Sequence, residues 1–341
     1  MPRKSTIAAL FAAALLAPGG AAAQPALHFK GKTVYLDIGP GTAGGGYDIA
    51  GRFLARHIGK HLPGNPTIVA QNVEGGSGLV LANQLYSAGA PRDGTVVGMI
   101  ADNATFSELL GAQGVRYHVA DYGWVGRMTT AVDLTVTWHT SKVKSIADAK
   151  AIAVPIAAGP ASGIAYQLPV LLNAVVGTKF KVITGYNGVI PMQNAMEKGE
   201  TDGAFAEWTA FQLVHGDWLH DKKVNLLVQY ALEREPDLPE VPTAIDLGQS
   251  EADKQLLAAA TAGASIGRTL LAPPGLPKEV LQMLRDGFDE AMHDPELVAE
   301  AKQLKLFLAP LRGEALQEIV TKLVKTPPAV LERAREILSS K

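Results

Sequence analysis

His57 and His61 stand four residues apart, the spacing at which two imidazoles on one helical face can share a metal ion. The chain has no cysteine and no obvious third ligand near the pair, so both histidines read as a helix face meeting core or solvent, and no metal or other cofactor is expected. Ser77 and Ser162 sit in small-residue turns, but neither falls in a G-x-S-x-G elbow, so neither is expected to be a nucleophile. Ser162 suits a hydrogen bond to a carboxylate or a cap on a helix beginning near Ile164. No catalytic residue is assigned.

The stretch Gly39-Pro40-Gly41-Thr42-Ala43-Gly44-Gly45-Gly46-Tyr47-Asp48 offers different chemistry. It joins the apolar run Thr33 to Ile38 to a helical pattern carried by Ile49, Ala50, Phe53, Leu54, His57 and Ile58. A glycine turn entering a helix presents unpaired amides at the positive end of the helix dipole, so it can hold a small anion without any Lys or Arg. Gly39, Gly41 and Gly44 formally spell a dinucleotide fingerprint. That reading requires an acid about 20 residues onward, whereas the next strand, Thr67 to Asn72, ends in amides.

The elements that must position this turn follow in order. Strand-like runs at Val96 to Ala101, Ala151 to Ile156, Phe180 to Ile183 and Val224 to Gln229 alternate with helical patterns, an α/β signature. A second glycine turn, Gly75 to Gly78, opens a helix over Leu79 to Ser87. Asp102-Asn103 after the third strand suits a helix cap. Two apolar runs within Tyr122 to Trp138 mark where the chain crosses between lobes. Arg234 to Pro242 is a proline-rich surface connection. The strand Gly267 to Ala272 returns the chain to the first lobe, and helices through Leu338 are expected on its exterior. The expected lobes are 24–130 with 236–341, and 131–235.

Residues 1–23 read as an export signal: basic Arg3 and Lys4, a short apolar run from Ile7 to Ala17, and Ala21-Ala22-Ala23 before a cleavage ahead of Gln24. Removing Arg3 and Lys4 leaves 29 basic against 33 acidic side chains, which argues against a nucleic-acid partner. The mature protein is expected in the periplasm as a monomer.

The order Gly44-Gly45-Gly46-Tyr47-Asp48, Gln71-Asn72-Val73-Glu74-Gly75-Gly76-Ser77-Gly78, and Pro91-Arg92-Asp93-Gly94-Thr95 resembles the substrate-binding receptors of tripartite tricarboxylate transporters, the Bug-type proteins. Tyr186-Asn187-Gly188 with Gly199-Glu200-Thr201-Asp202, and Leu238-Pro239-Glu240-Val241-Pro242-Thr243, extend the likeness over the whole mature chain. The resemblance implies a two-lobed type II periplasmic binding fold, each lobe a mainly parallel sheet flanked by helices. Such a fold closes like a flytrap over a small organic carboxylate and delivers it to transporter membrane subunits. The implied contacts are Gly44, Gly45, Gly46, Tyr47 and Asp48; Ala101, Asp102 and Asn103; Ser162 and Gly163; Tyr186, Asn187 and Gly188; and Ala206, Glu207 and Trp208.

Two departures stand out. Relatives usually carry small hydroxyl residues where this chain has Ala101-Asp102, and often Asp-Asn where it has Ala206-Glu207. If both acids face the cleft, a polyanion is disfavoured, since unit charges 4 Å apart repel by about 4 kcal/mol at an effective dielectric of 20. If instead they cap helices or pair with bases, that argument lapses. An exported enzyme using Asp102 and Glu207 as acid and base, or a ligand-presenting sensory module, are the alternatives on the same scaffold.

Overall fold

The computed structural model describes residues 28–39, 46–73, 75–161, 163–186 and 188–339. The export signal with its cleavage point, and the turn residues Gly44, Gly45, Ser162 and Asn187, lie outside the described residues.

In chain order the elements are β1 (Thr33–Ile38), α1 (Gly46–Ile58), β2 (Thr67–Asn72), α2 (Leu79–Tyr86), β3 (Val96–Met99), α3 (Ala104–Leu109) and β4 (Gly123–Thr129). The chain then crosses into β5 (Asp133–Trp138), α4 (Ile146–Ala151), β6 (Val154–Ala157), α5 (Ile164–Val176), β7 (Phe180–Ile183), α6 (Val189–Glu197), β8 (Gly203–Glu207), α7 (Trp208–Val214), α8 (Gly216–His220) and β9 (Val224–Tyr230). It ends with α9 (Glu251–Ile266), β10 (Arg268–Ala272), α10 (Lys278–His293), α11 (Pro295–Gln303), β11 (Leu311–Arg312), α12 (Gly313–Leu323) and α13 (Pro328–Ser339).

These strands form two sheets. The first runs β2-β1-β3-β10-β4-β11 and the second β7-β6-β8-β5-β9. Both repeat one plan: a central strand pairs in parallel with its two neighbours, and the next strand outward runs antiparallel. The sheets are therefore mixed rather than mainly parallel. The antiparallel members β5 and β10 are the strands by which the chain arrives from the other sheet, so their direction is set by the crossing.

Alternation within β1 shows how the sequence builds the first core. Val34, Leu36 and Ile38 are buried against Phe53, Leu54 and Ile58 of α1, whereas Tyr35 is exposed. Each such aliphatic burial contributes roughly 1.5–3 kcal/mol. In the second core, Leu134 and Val136 of β5 and Ile156 of β6 pack with Leu168, Leu171 and Leu172 of α5.

The crossing segments touch. The Ala131 N–H donates to the Ala264 carbonyl at 3.0 Å, and the Trp208 N–H to the Val132 carbonyl at 2.8 Å. Gly267 turns α9 into β10 at φ 57°, where an added Cβ would lie 2.1 Å from the Thr129 carbonyl oxygen. Only glycine fits that approach.

Two C-terminal features depart from expectation. α9 is an unforeseen helix, opened by a reciprocal cap between Ser250 and Asp253. α10, α11 and α12 bury Phe288, Leu297 and Val320 in cores formed with first-sheet strands. α13 does not follow the expected packing on the first lobe: Val330, Leu331 and Ala334 join the core of the second sheet beside α5 and α9. Polar contacts hold it there. Arg335 donates to the carbonyls of Leu109 and Leu110 at 3.0 and 2.9 Å, and Arg333 pairs with Asp253 at 2.6 Å.

Candidate functional site

The expected contacts map to the C-terminal ends of parallel strands, where ligands bind in open α/β sheets. Gly46, Tyr47 and Asp48 form the first turn of α1, and Ala101, Asp102 and Asn103 link β3 to α3. From the second sheet come Gly163 before α5, Tyr186 and Gly188 before α6, and Ala206, Glu207 and Trp208 at the β8–α7 junction. A cavity of about 350 Å³ is bounded by Gly78, Ala101, Asn103 and Ser107 on one side and Pro160 and Gly163 on the other. Tyr186 borders the same β6–α5 loop through a backbone bond to the Ala158 carbonyl.

Arg268, the first residue of β10, lies beside the start of α1 and next to Asp102, whose neighbours Ala101 and Asn103 line the cavity. Its guanidinium carbon lies 4.0 Å from the centroid of the Tyr47 ring, and Nη1 is 3.6 Å from Asp102 Oδ2. Nη2 is 3.5 Å from the point a Cβ on Gly46 would occupy, which puts a cation beside the start of α1. The Tyr47 Oη in turn accepts the Asp102 N–H at 2.9 Å. Burial raises the Asp102 carboxyl above its usual range, an effect Arg268 opposes. Burial also pushes the Tyr47 phenol up, and the Asp102 charge adds to it. For Arg268, burial works against the charge, but Tyr47, Asp102, Glu207 and Asp133 outweigh it and raise its pKa.

Asp133 starts β5 in register with Glu207 on one side and Tyr230 on the other, and is buried. Burial, with the like charges of Asp102 and Glu207, holds its carboxyl well above the carboxylate range, only partly offset by Arg268. A cavity of about 10 Å³, on the order of a single water, is lined by Asp133, Asp102 and Tyr230 among others.

The remaining candidates divide. Glu207 accepts the N–H groups of Thr209 at 3.2 Å and Ala210 at 3.0 Å, so its carboxylate caps α7. Ala206 is fully buried in the second core. Trp208 is 7% exposed, and its indole N–H has no hydrogen-bond partner among the described residues. Asp48 binds Arg52 Nε at 2.8 Å, one turn along α1. His57 and His61 bind Glu300 and Asp294 at 2.6 and 2.8 Å, which ties α1 and the turn following it to α11 and its cap rather than to a shared ion.

Sequence reasoning missed Arg268 and Asp133. Arg268, from a strand far along the chain, lies beside Gly46, near the end of the turn expected to hold an anion without Lys or Arg. The available signals were slight: a lone base directly after Gly267 in an apolar strand, and a lone acid at the head of another.

No family model matches the chain, and no curated protein matches it. Solved structures do. A TctC solute-binding protein from Polaromonas superposes with TM-score 0.66 at 18% identity, over 88% of this chain and 98% of that one. The periplasmic binding protein BugD gives 0.60 at 21% identity, over 89% and 97%. MatC from Rhodopseudomonas palustris, with bound malate, gives 0.60 at 18% identity, over 90% and 99%. Two mixed sheets, two crossings and a cleft at the strand ends thus give this chain the fold of TctC- and Bug-type periplasmic binding proteins.

Proposed function

We propose that the protein is an exported solute-binding receptor which captures a small organic carboxylate between two lobes and delivers it to the membrane subunits of a tripartite tricarboxylate-type transporter. The observation that carries this reading is the Arg268 guanidinium beside the start of α1 and next to Asp102, whose neighbours Ala101 and Asn103 line the cavity. A carboxylate placed there meets backbone amides, a helix dipole and a cation together. The binding of malate by MatC is consistent with a carboxylate, and the folds compared are those of periplasmic binding proteins. The lobes are 24–130 with 236–341, and 131–235, with α9 and α13 packed on the core of the second. The signal is cleaved after Ala23, and the mature chain works in the periplasm as a monomer without a cofactor. Among the described residues, no helix is long and apolar enough to cross a membrane.

A ligand contacting both lobes stabilises the closed form by its differential affinity for that form. Catalysis by Asp102 and Glu207 has less support, because one is paired with Arg268 and the other is committed to capping α7. Native mass spectrometry of the purified protein tests the receptor reading. An unchanged carboxylate released from the protein supports it, and turnover of that carboxylate overturns it.

A further inference from the structure

We infer that the cleft selects ligands carrying a single negative charge, and that Asp102 sets this limit by neutralising Arg268. The inference rests on the receptor reading above. Arg268 is the base that reaches both Gly46 and Asp102. Arg52, the other base near the start of α1, donates to Asp48, Asn72 and the Ala70 carbonyl, and is thereby engaged. With Asp102 Oδ2 only 3.6 Å from its Nη1, Arg268 enters the site as half of an ion pair and not as a free charge.

What remains positive is the field of the helix starts. α1, α5 and α6 begin at the C-terminal ends of parallel strands, where Gly163 before α5 lines the cavity, and each N-terminus is worth roughly half a unit charge. The α7 start is already occupied by the Glu207 carboxylate. One ligand carboxylate is matched by this field. A second carboxylate meets Asp102 beside the same guanidinium, which is specificity by repulsion.

The Asp102 N–H donates to the Tyr47 phenol oxygen at 2.9 Å, so Asp102→Asn retains that backbone bond while releasing Arg268. The ring of Tyr47 still supports the guanidinium. The freed cation then becomes a partner for a second ligand carboxylate.

Calorimetric titration of the mature protein with butyrate, succinate and tricarballylate at fixed ionic strength tests this. The wild type is expected to favour butyrate, and Asp102→Asn to shift the succinate-to-butyrate affinity ratio towards succinate by about tenfold or more, equivalent to ~1.4 kcal/mol. Asp102→Ser makes the same charge change with a smaller side chain, and thermal melts establish that each variant is folded. In a Asp102→Asn, Arg268→Gln double variant the gain should vanish. A ratio that does not move in folded variants, or a wild type that already prefers tricarballylate, overturns the charge limit while leaving the receptor reading intact. Absence of binding by all three acids to every variant overturns both.

Discussion

The guanidinium of Arg268 lies over the ring of Tyr47, joining the first residue of β10 to the first turn of α1. The contact fixes α1 against the strand that carries the chain back from the second sheet. A cation over an aromatic face contributes about 0.5–1 kcal/mol when exposed and about 2 when desolvated. Tyr47→Phe keeps that contact but removes the acceptor of the Asp102 N–H. It is expected to lower unfolding free energy by about 1 kcal/mol, whereas Tyr47→Ala should cost more and weaken carboxylate binding. Urea titrations compare the two. Equal losses would mean that the ring does not support Arg268.

Gly267→Ala is expected to destabilise the protein strongly. The backbone sits at φ 57°, and the new Cβ would meet the Thr129 carbonyl oxygen at 2.1 Å. A strained conformation of this kind costs of order 1–3 kcal/mol before any clash is counted. A thermal midpoint equal to that of the parent would contradict the crossing geometry.

Asp133 should make stability fall as pH rises. Its folded carboxyl holds a proton well above the usual carboxylate range, so above the unfolded pKa of about 3.9 the folded state binds more protons than the unfolded state, and stability declines until the folded pKa is passed. Asp133→Asn removes this dependence. The variant is expected to be more stable than the parent at neutral pH, with the difference shrinking towards pH 4. Parallel melting curves across that window would refute the assignment.

Leu331→Ala tests the placement of α13. The side chain is buried in the core of the second sheet, where such a truncation typically costs about 2–5 kcal/mol. Hydrogen exchange should show the loss of protection in α5 and α9 rather than in α10. Loss confined to first-sheet helices would place α13 elsewhere.

Much of the architecture was legible because it is local. The alternation in Thr33–Ile38, the match of Phe180–Ile183 to β7 and the two apolar runs before Trp138 depend on side-chain periodicity, which a strand needs wherever it ends up. The loops carrying Tyr47, Asp102 and Glu207 were found for the same reason, since a turn between a strand and a helix is written in its own residues. α9 was not, because its alanine-rich face carries weak periodicity and is defined by burial between α3, α5 and α13. Whether an acid faces a ligand, a helix end or a base is not a local property at all. Glu207 could be read either as a cleft carboxylate or as a cap, and folding selected the cap. Asp102 acquired its role when the crossing at Gly267 brought Arg268 to within 3.6 Å of it. Sequence alone determined the two-sheet scaffold and the turns at its strand ends. The charge of the cleft was decided only by tertiary structure, because electrostatic pairing depends on distances between residues that the chain separates and the two crossings reunite.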